Sequence, residues 1–242
     1  MAKKIIKQHN AITEARYEMS ALEKNIFYML LAELKDDDPE EKKYYKLDLK
    51  VLERRCGGKK LTVPELVQAA EGLVFRVYTI TKENGGTLLT SLISSVTNIP
   101  EENCIEVGVG SMVRPYLLAL KKDYTEFELD TALRLKSKYS KRMYEMLSQH
   151  KKVGKFITSV EELKYRLALI NSKTGEDKYP GWGVFSKHIL ERPQKELNEQ
   201  TDITFTYTLK KTARKYTDIE FTILPNSKKE AKYEGGLFET GQ

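Results

Sequence analysis

The chain has 242 residues, a formal net charge of +6 and a hydrophobic fraction of 40%, enough for two domains of ordinary size with separate cores. Its apolar runs fall far short of the roughly 20 residues that a membrane-spanning helix needs, and residues 1–7 lack the apolar stretch of a secretory signal. Cys56 and Cys104 are the only cysteines, which excludes a disulfide framework and favours a reducing, cytoplasmic location.

The positive charge is concentrated in the second half of the chain. Residues 1–128 hold 19 Lys or Arg and 20 Asp or Glu, a balance of −1, whereas residues 129–225 hold 19 and 12, a balance of +7. Residues 226–242 hold 3 of each and are neutral. A net charge of +6 taken alone is consistent with a role in solubility. The concentration of the positive charge in one half predicts that a polyanion would meet residues 129–225 first.

The first half predicts a helix, a strand, two further helices and a hairpin. Ser20 suits a helix start, and Thr62 with Glu65 forms the capping box of a later helix. Two apolar segments flank the turn sequence at 83–86, which predicts the hairpin; its apolar second strand is either buried locally or part of a dimer face. The predicted elements are helix 20–30, strand 45–48, helix 49–55, helix 62–73, hairpin strands 74–80 and 88–96, and a further strand over 104–109.

The second half repeats that order. Ser137 begins the first helix, Ser159 and Glu162 predict a capping box, and period-two apolar spacing predicts a final hairpin. The elements are helix 137–147, strand 156–159, helix 160–166, helix 185–200, and hairpin strands 203–209 and 219–223. Helix, strand, helix, helix and hairpin is the winged-helix order, so the sequence predicts an α+β fold of two tandem winged-helix domains. We place the domains at 1–128 and 129–225, followed by a flexible tail at 226–242.

The candidate DNA-binding residues all lie in the second domain. The third helix and the hairpin tip would enter the major groove and hold phosphates, respectively, while cations near the start of the first helix favour phosphate as well. The candidates are Ser186, Lys187, His188, Arg192 and Lys195 on the third helix, Lys210, Lys211, Arg214 and Lys215 on the tip, and Lys136, Lys138, Lys141 and Arg142 on the first helix. The third helix of the first domain has Glu65 and Glu71 but no cation, so that domain is expected to serve in protein contact, with at most a subsidiary DNA role.

Four segments of the sequence resemble the iteron-binding replication initiators of theta-replicating plasmids. The match covers about residues 5–225. Its segments are His9-Asn10-Ala11 with Ala15-Arg16-Tyr17 and the helix that begins at Ser20, the run from Leu135 to Leu147, Trp182-x-x-Phe185 with Glu196-Leu197-Asn198-x-x-Thr201-Asp202-Ile203, and Lys210-Lys211 with Arg214-Lys215. Two departures stand out: Pro193 should kink or divide the third helix, and Ser186 occupies a position where the family pattern favours a cation.

The resemblance implies a bacterial plasmid initiator that binds repeated origin DNA in double-stranded form. In that family the second domain grips most of each repeat, and the first serves dimerisation and adjoining DNA. Monomers open the origin and engage the host helicase or its loader, whereas homodimers do not initiate and often repress the initiator's own gene. The resemblance therefore implies DNA, a second copy of the chain and a host helicase or helicase loader as partners.

Two other readings remain open from the sequence. The alternative within DNA-binding proteins is a winged-helix transcriptional repressor that binds an inverted repeat as a dimer. From another class, a nicking or priming enzyme would need chemistry that the sequence lacks, because the three histidines are far apart and no nucleotide-binding loop or zinc spacing is present. We therefore expect no enzymatic activity, no cofactor and no metal.

Overall fold

The structure, a computed structural model, describes residues 4–227 apart from 57, 59, 83 and 119. Most of the tail predicted at 226–242, from residue 228 onward, lies outside the described residues. The predicted start of that tail at residue 226 is wrong. Asn226 is buried, and its side-chain amide donates to the carbonyl oxygens of Asn198 and Thr201 at 3.0 and 2.9 Å. The second domain therefore extends at least to Asn226.

The described residues have the α+β architecture that the sequence predicts. The helices are α1 (Asn10–Glu14), α2 (Ala21–Glu33), α3 (Leu49–Arg55), α4 (Val63–Val74), α5 (Leu129–Arg134), α6 (Lys138–His150), α7 (Val160–Arg166), α8 (Trp182–Phe185) and α9 (Arg192–Gln200). The strands are β1 (Ile5–His9), β2 (Tyr44–Asp48), β3 (Tyr78–Thr81), β4 (Thr87–Thr90), β5 (Ile93–Ile99), β6 (Cys104–Val109), β7 (Tyr124–Glu128), β8 (Lys155–Ser159), β9 (Ile203–Thr212) and β10 (Lys215–Pro225). Within the described ranges, no helix is long and apolar enough to cross a membrane.

The first winged helix consists of α2, β2, α3, α4 and the hairpin β5–β6. Its sheet has the order β2-β6-β5, and all of its pairs are antiparallel. The predicted strand over 88–96 is wrong as a single strand, because it divides into β4 and β5. The chain changes sheets at Ser91, whose hydroxyl donates to the carbonyl oxygens of Val74 and Ile93. The wing of this domain is therefore β5–β6, and β3–β4 is an additional hairpin.

The apolar segment predicted at 88–96 packs mostly within its own domain. Leu92 and Ile93 are fully buried, so most of its apolar character belongs to the local core. Leu89 remains exposed at 65%.

The second winged helix consists of α6, β8, α7, the helical run 182–200 and the hairpin β9–β10. Its sheet has the order β8-β10-β9, which matches the order of the first domain once the equivalent strands are aligned. The predicted helix starts hold: Ser137 and Ser159 accept from the backbone N–H groups of Ser140 and Glu162. The capping box predicted at Ser159 is only half formed, because the Glu162 carboxylate accepts from Arg166 at 2.6 Å instead.

Pro193 widens the third helix of this domain instead of dividing it. The run begins at α8, passes through a π-helical segment at residues 186–191 and continues as α9. In this segment the Arg192 N–H donates to the carbonyl of Lys187, five residues back. Pro193 has no N–H for the carbonyl of Ile189, and its ring would crowd that carbonyl in a regular helix. The wider turn directly before Pro193 gives the ring room and keeps the chain helical.

The two halves are related by an approximate two-fold arrangement. Strand β1, followed by α1 and α2, corresponds to β7, followed by α5 and α6. Strands β1 and β7 pair with each other in antiparallel register, and α2 packs on α5 as α6 packs on α1. The boundary predicted between residues 128 and 129 falls at the junction of β7 and α5, inside this shared region.

A buried ionic network lies where the halves meet. Lys24 of α2 contacts Glu145 of α6 at 2.5 Å, and Arg142 contacts the second oxygen of that carboxylate at 2.8 Å. The Tyr17 hydroxyl accepts from Lys24 at 2.5 Å and donates to Glu145 at 3.2 Å. Although burial raises the pKa of Glu145, the charges of Lys24 and Arg142 outweigh it and lower that pKa. Charged groups thus connect α2 and α6 inside a continuous hydrophobic core.

Candidate nucleic-acid interface

The tip of β9–β10 is an exposed cationic projection. Strand β8 pairs only with residues 218–222 of β10, so the hairpin extends beyond the third strand of its sheet. The turn residues are Ala213 and Arg214, and Ala213 adopts a left-handed backbone conformation with φ of 55°. Lys210, Lys211, Arg214 and Lys215 are all exposed. None of these four forms an ion pair with any residue that the structure describes. Their charge is therefore available to an external anion.

The helical run 182–200 presents a second exposed cationic surface. Lys187, Arg192 and Lys195 are exposed, and within the described part of the chain their side chains form no ion pair or hydrogen bond. Glu191 and Glu199 are also exposed on this run, so its outer face carries both signs of charge. Of these charged side chains, the three cations are the ones that can donate to phosphate or to the guanine edge.

The two other candidates on this run are held by the protein. The His188 ring stacks on Tyr179 with centroids 5.1 Å apart and planes at 10°, and it remains partly exposed. Ser186 is buried, and its hydroxyl donates to Glu191 at 2.8 Å. The structure therefore corrects the prediction for Ser186, whose side chain serves the π-helical segment and does not reach the surface.

The predictions for the first helix of the second domain are also corrected. Lys141 is 0% and Arg142 is 5% exposed, so neither side chain can reach a phosphate. The Lys141 ammonium donates to the carbonyl oxygen of Ala132 at 2.5 Å, and burial lowers its pKa to about 7. Arg142 belongs to the network with Glu145 and also donates to the carbonyls of Thr13 and Ala15. These cations are structural because α6 lies between the two halves.

Lys136 and Lys138 lie at the start of the same helix with different surroundings. Lys136 is exposed, and its backbone N–H donates to the Glu196 carboxylate. Lys138 is partly exposed and forms an ion pair with Glu18, which also contacts Lys178 at 3.3 Å. Carboxylates therefore already occupy the surroundings of this helix start, and of the two lysines only Lys136 retains a fully exposed side chain.

Contacts that the sequence did not predict attach the wing to the helical run. Trp182 stacks on Tyr216 of β10 with centroids 4.1 Å apart, and the Lys211 ammonium lies 4.4 Å from the centre of the Tyr216 ring. The side-chain amides of Gln194 and Asn198 both donate to the carbonyl of Phe205 at the start of β9. The wing tip and the cationic helix face are thus parts of one assembly. Only the resemblance segment at residues 196–203 hinted at the role of Asn198.

The corresponding surface of the first domain has the opposite character. Helix α4 contains no Lys or Arg. Val63 and Val67 on its outer face are 61% and 50% exposed, and Phe75, directly after its last residue, is 80% exposed. They border a groove of about 310 Å³ between α4 and the β5–β6 sheet. At the tip of its wing lie Glu101 and Glu102. A helix face of this kind opposes entry between phosphate rows, and the role of the first domain in protein contact stays a prediction.

Two winged helices in tandem, of which the second carries the cationic helix face and wing, define a DNA-binding protein of the tandem winged-helix class. The chain belongs to the initiator replication protein family: the family model for the WH1 domain matches residues 5–148, and that for the WH2 domain matches residues 159–223. This membership confirms the resemblance. The models leave residues 149–158 between them.

Two comparisons describe related proteins. The chain is 26% identical, over an alignment of 247 residues, to the PI protein of Escherichia coli, with 89% of this chain and 81% of that protein covered. It is also similar to the crystal structure of Pi initiator protein in complex with iteron DNA, with a TM-score of 0.76, an identity of 22%, and coverage of 92% of this chain and 98% of the other. The second comparison confirms the fold over nearly the whole chain.

Proposed function

We propose that this initiator binds repeated origin DNA in a sequence-specific manner and starts plasmid replication there. The observation that carries the proposal is the pairing of two exposed cationic surfaces, the helix face with Lys187, Arg192 and Lys195 and the wing tip at residues 210–215, in one connected assembly. The solved complex of the Pi initiator with iteron DNA supports the same type of ligand.

The proposed binding mode follows from groove dimensions and charge. The major groove, about 12 Å wide, admits one α-helix. Lys187 and Arg192 would then face base edges, while the wing cations would hold phosphates on the flanking backbone. Several protomers on neighbouring repeats would strain an adjacent A·T-rich duplex. Binding energy can be applied directly to bending and unstacking DNA, so this opening needs no hydrolysis, and the proposal assigns the chain no enzymatic step.

The test uses DNA that adjoins the chain's own coding sequence, searched for direct repeats of about two helical turns, roughly 20 base pairs. In a gel-shift titration, duplexes with one to four repeats should give a ladder whose number of bands equals the number of repeats. A scrambled duplex of equal length should bind far more weakly. A single dimeric complex confined to an inverted repeat would overturn the initiator proposal in favour of a transcriptional repressor.

Replacement of Lys187 by Ala provides a finer test of the binding mode. A cation at a base edge contributes about 1–3 kcal/mol of discrimination against the wrong base. Lys187→Ala should therefore reduce preference at one position of the repeat and leave preference at the other positions unchanged, as measured with single-base variants of the duplex. A uniform loss across all variants would place Lys187 on a phosphate instead.

The remaining partners belong to the same proposal. We infer that the apolar face of α4 serves in homodimer formation, because Val67 and Phe75 are exposed and α4 has no cation. The DNA-bound monomer would engage a host helicase or its loader. The chain would act in the bacterial cytoplasm, and the free thiols of both cysteines fit a reducing compartment. Sedimentation of Val67→Glu against wild type tests the dimer face, and an unchanged dimer fraction would exclude it.

A further inference from the structure

We propose that Tyr216 is a positioning residue for DNA binding: its ring, held between Trp182 and Lys211, fixes the cationic wing relative to the helix that reads DNA. This inference rests on the proposed function, since it assumes that both surfaces contact one duplex. It assigns a role to two uncharged aromatic residues, Trp182 and Tyr216, which are not among the cations of either surface.

A β-bulge brings Tyr216 to the side of the sheet that faces the helix. Side chains alternate along a strand, so Tyr216 would ordinarily point away from the face that holds Ile219 and Phe221. The pairing register shifts between Tyr216 and Asp218, which leaves Thr217 as the extra residue. Tyr216 now pairs with Lys211, just as Ile219 pairs with Leu209. Residues in direct register share a face, so the bulge moves Tyr216 to the helix side.

On that side Tyr216 meets the beginning of the helical run. Trp182 is the first residue of α8, and its ring stacks on Tyr216 at 4.1 Å with planes at 29°. Trp182 also contacts Phe185, whose side chain is buried in the core. The stack therefore connects the projecting hairpin to a rigid part of the second domain. Between residue 218 and the hairpin tip, the described residues provide no third strand, and isolated two-stranded ribbons hold their shape poorly in water.

Lys211 gives the cluster a direct connection to the ligand. Its ammonium lies 4.4 Å from the Tyr216 ring centre, a cation–π contact, and the side chain is exposed. Lys210 lies on the opposite face of β9 and lacks this contact. It lies near Glu220, where its charge helps a hydrogen bond from Lys155, the larger cause, to lower the pKa of that carboxyl. Tyr216 thus orders one wing cation and orients the hairpin that carries all four.

The experiment compares Tyr216→Phe, which keeps the ring, with Tyr216→Thr, which removes it but retains a residue that suits strands. Binding to a random-sequence duplex of about 30 base pairs is measured by fluorescence anisotropy across a range of salt concentrations. We expect Tyr216→Phe to match wild type. Tyr216→Thr should weaken binding about tenfold at moderate salt and flatten the dependence of log Kd on log salt concentration, because misplaced wing cations displace fewer counterions.

Trp182, the only tryptophan, shows whether the stack exists in solution. Its emission should shift to the red in Tyr216→Thr, which uncovers the indole, and remain at the wild-type wavelength in Tyr216→Phe. Thermal unfolding is recorded for each variant. If Tyr216→Thr retains the wild-type salt slope and affinity, the positioning role is overturned, and a lowered melting temperature with an unchanged slope would reduce Tyr216 to a structural residue.

Failure of the proposed function gives a different result. A wild-type protein that binds random duplex as tightly as direct repeats would contradict the initiator proposal. The salt slopes of the two Tyr216 variants on random duplex would still decide whether Tyr216 positions the wing.

Discussion

At the scale of single residues, exposure separates the cations that can bind DNA from those that cannot. Lys187, Arg192 and Lys195 on the helix and the four wing cations are exposed, whereas Lys141 and Arg142 are buried. In the sequence all of these residues look alike, since each is a cation on or beside a predicted element. The side chains that orient the interface, Tyr216 and Tyr179, carry no charge and were not among the predicted site residues.

Replacement of both Lys210 and Lys211 by Ala should weaken binding to all duplexes on the order of tenfold and lower the salt slope by about 2, because two phosphate contacts are lost. The measurement is anisotropy on repeat and random duplexes over a range of salt concentrations. Lys121 and Lys122, another adjacent and exposed pair, provide the matched control, and their replacement by Ala should leave the slope unchanged. An unaltered slope in the wing variant would remove the wing from the interface.

At the scale of elements, Pro193 shapes the proposed recognition helix. The π-helical segment before it sets the relative direction of Lys187 and Arg192, which a regular helix would arrange differently. The sequence identified Pro193 as an irregularity but predicted a kink or a break, because propensity rules describe the regular helix and not the wider turn that relieves the clash.

Pro193→Ala should let this segment relax towards a regular α-helix, since Ala supplies an N–H for the carbonyl of Ile189. We expect the preference for repeat over scrambled duplex to fall, because the helix geometry changes. The melting temperature should not fall, because a helix-breaking residue has been removed. Gel shifts and thermal unfolding together check this outcome. Gln194→Ala, one position further along, keeps Pro193 and tests the attachment to Phe205 separately. A variant with unchanged preference would show that the π segment does not set specificity.

At the scale of the whole molecule, the network of Tyr17, Lys24, Arg142 and Glu145 joins the halves. These residues come from two segments that carried the family resemblance, the opening segment with Tyr17 and the Ser20 helix, and the run from Leu135 to Leu147. The resemblance in these two segments thus reflects the shared core between the domains more than the DNA-binding surface. Lys24 and Lys141 occupy equivalent positions in the internal repeat, and both are buried.

Glu145→Gln should lower the free energy of unfolding by about 3–5 kcal/mol, because it leaves Lys24 and Arg142 buried without a countercharge. Urea unfolding measures the change. Glu161, exposed at the start of α7, provides a control, and Glu161→Gln should change the value by no more than about 0.5 kcal/mol. Equal unfolding free energies for Glu145→Gln and wild type would show that the network does not stabilise the junction.

Lys141 should make stability depend on pH above neutrality. Burial holds its pKa at about 7 in the folded chain, against about 10.4 in an unfolded chain. Between these values the unfolded chain binds more protons, so stability rises with pH, by at most about 1.4 kcal/mol per pH unit. Below pH 7 both states are protonated and this contribution is flat. The difference in unfolding free energy between wild type and Lys141→Met should therefore change from pH 7 to pH 10; a constant difference would contradict it.

The sequence by itself determined the α+β class, the duplication of the winged helix, the helix, strand, helix, helix and hairpin order of the second half, and the cationic wing tip. These features rest on local signals, such as helix caps, period-two and period-3.6 spacing, and charge near a turn, which act within a few residues. Tertiary structure alone decided which cations are buried, where Tyr216 points and which hairpin forms the first wing. Helix α6 is surrounded by both halves of the chain, so polar residues that spacing assigns to solvent meet partners more than 100 positions away. The bulge at Thr217 likewise depends on pairing between strands, which spacing along one strand does not encode.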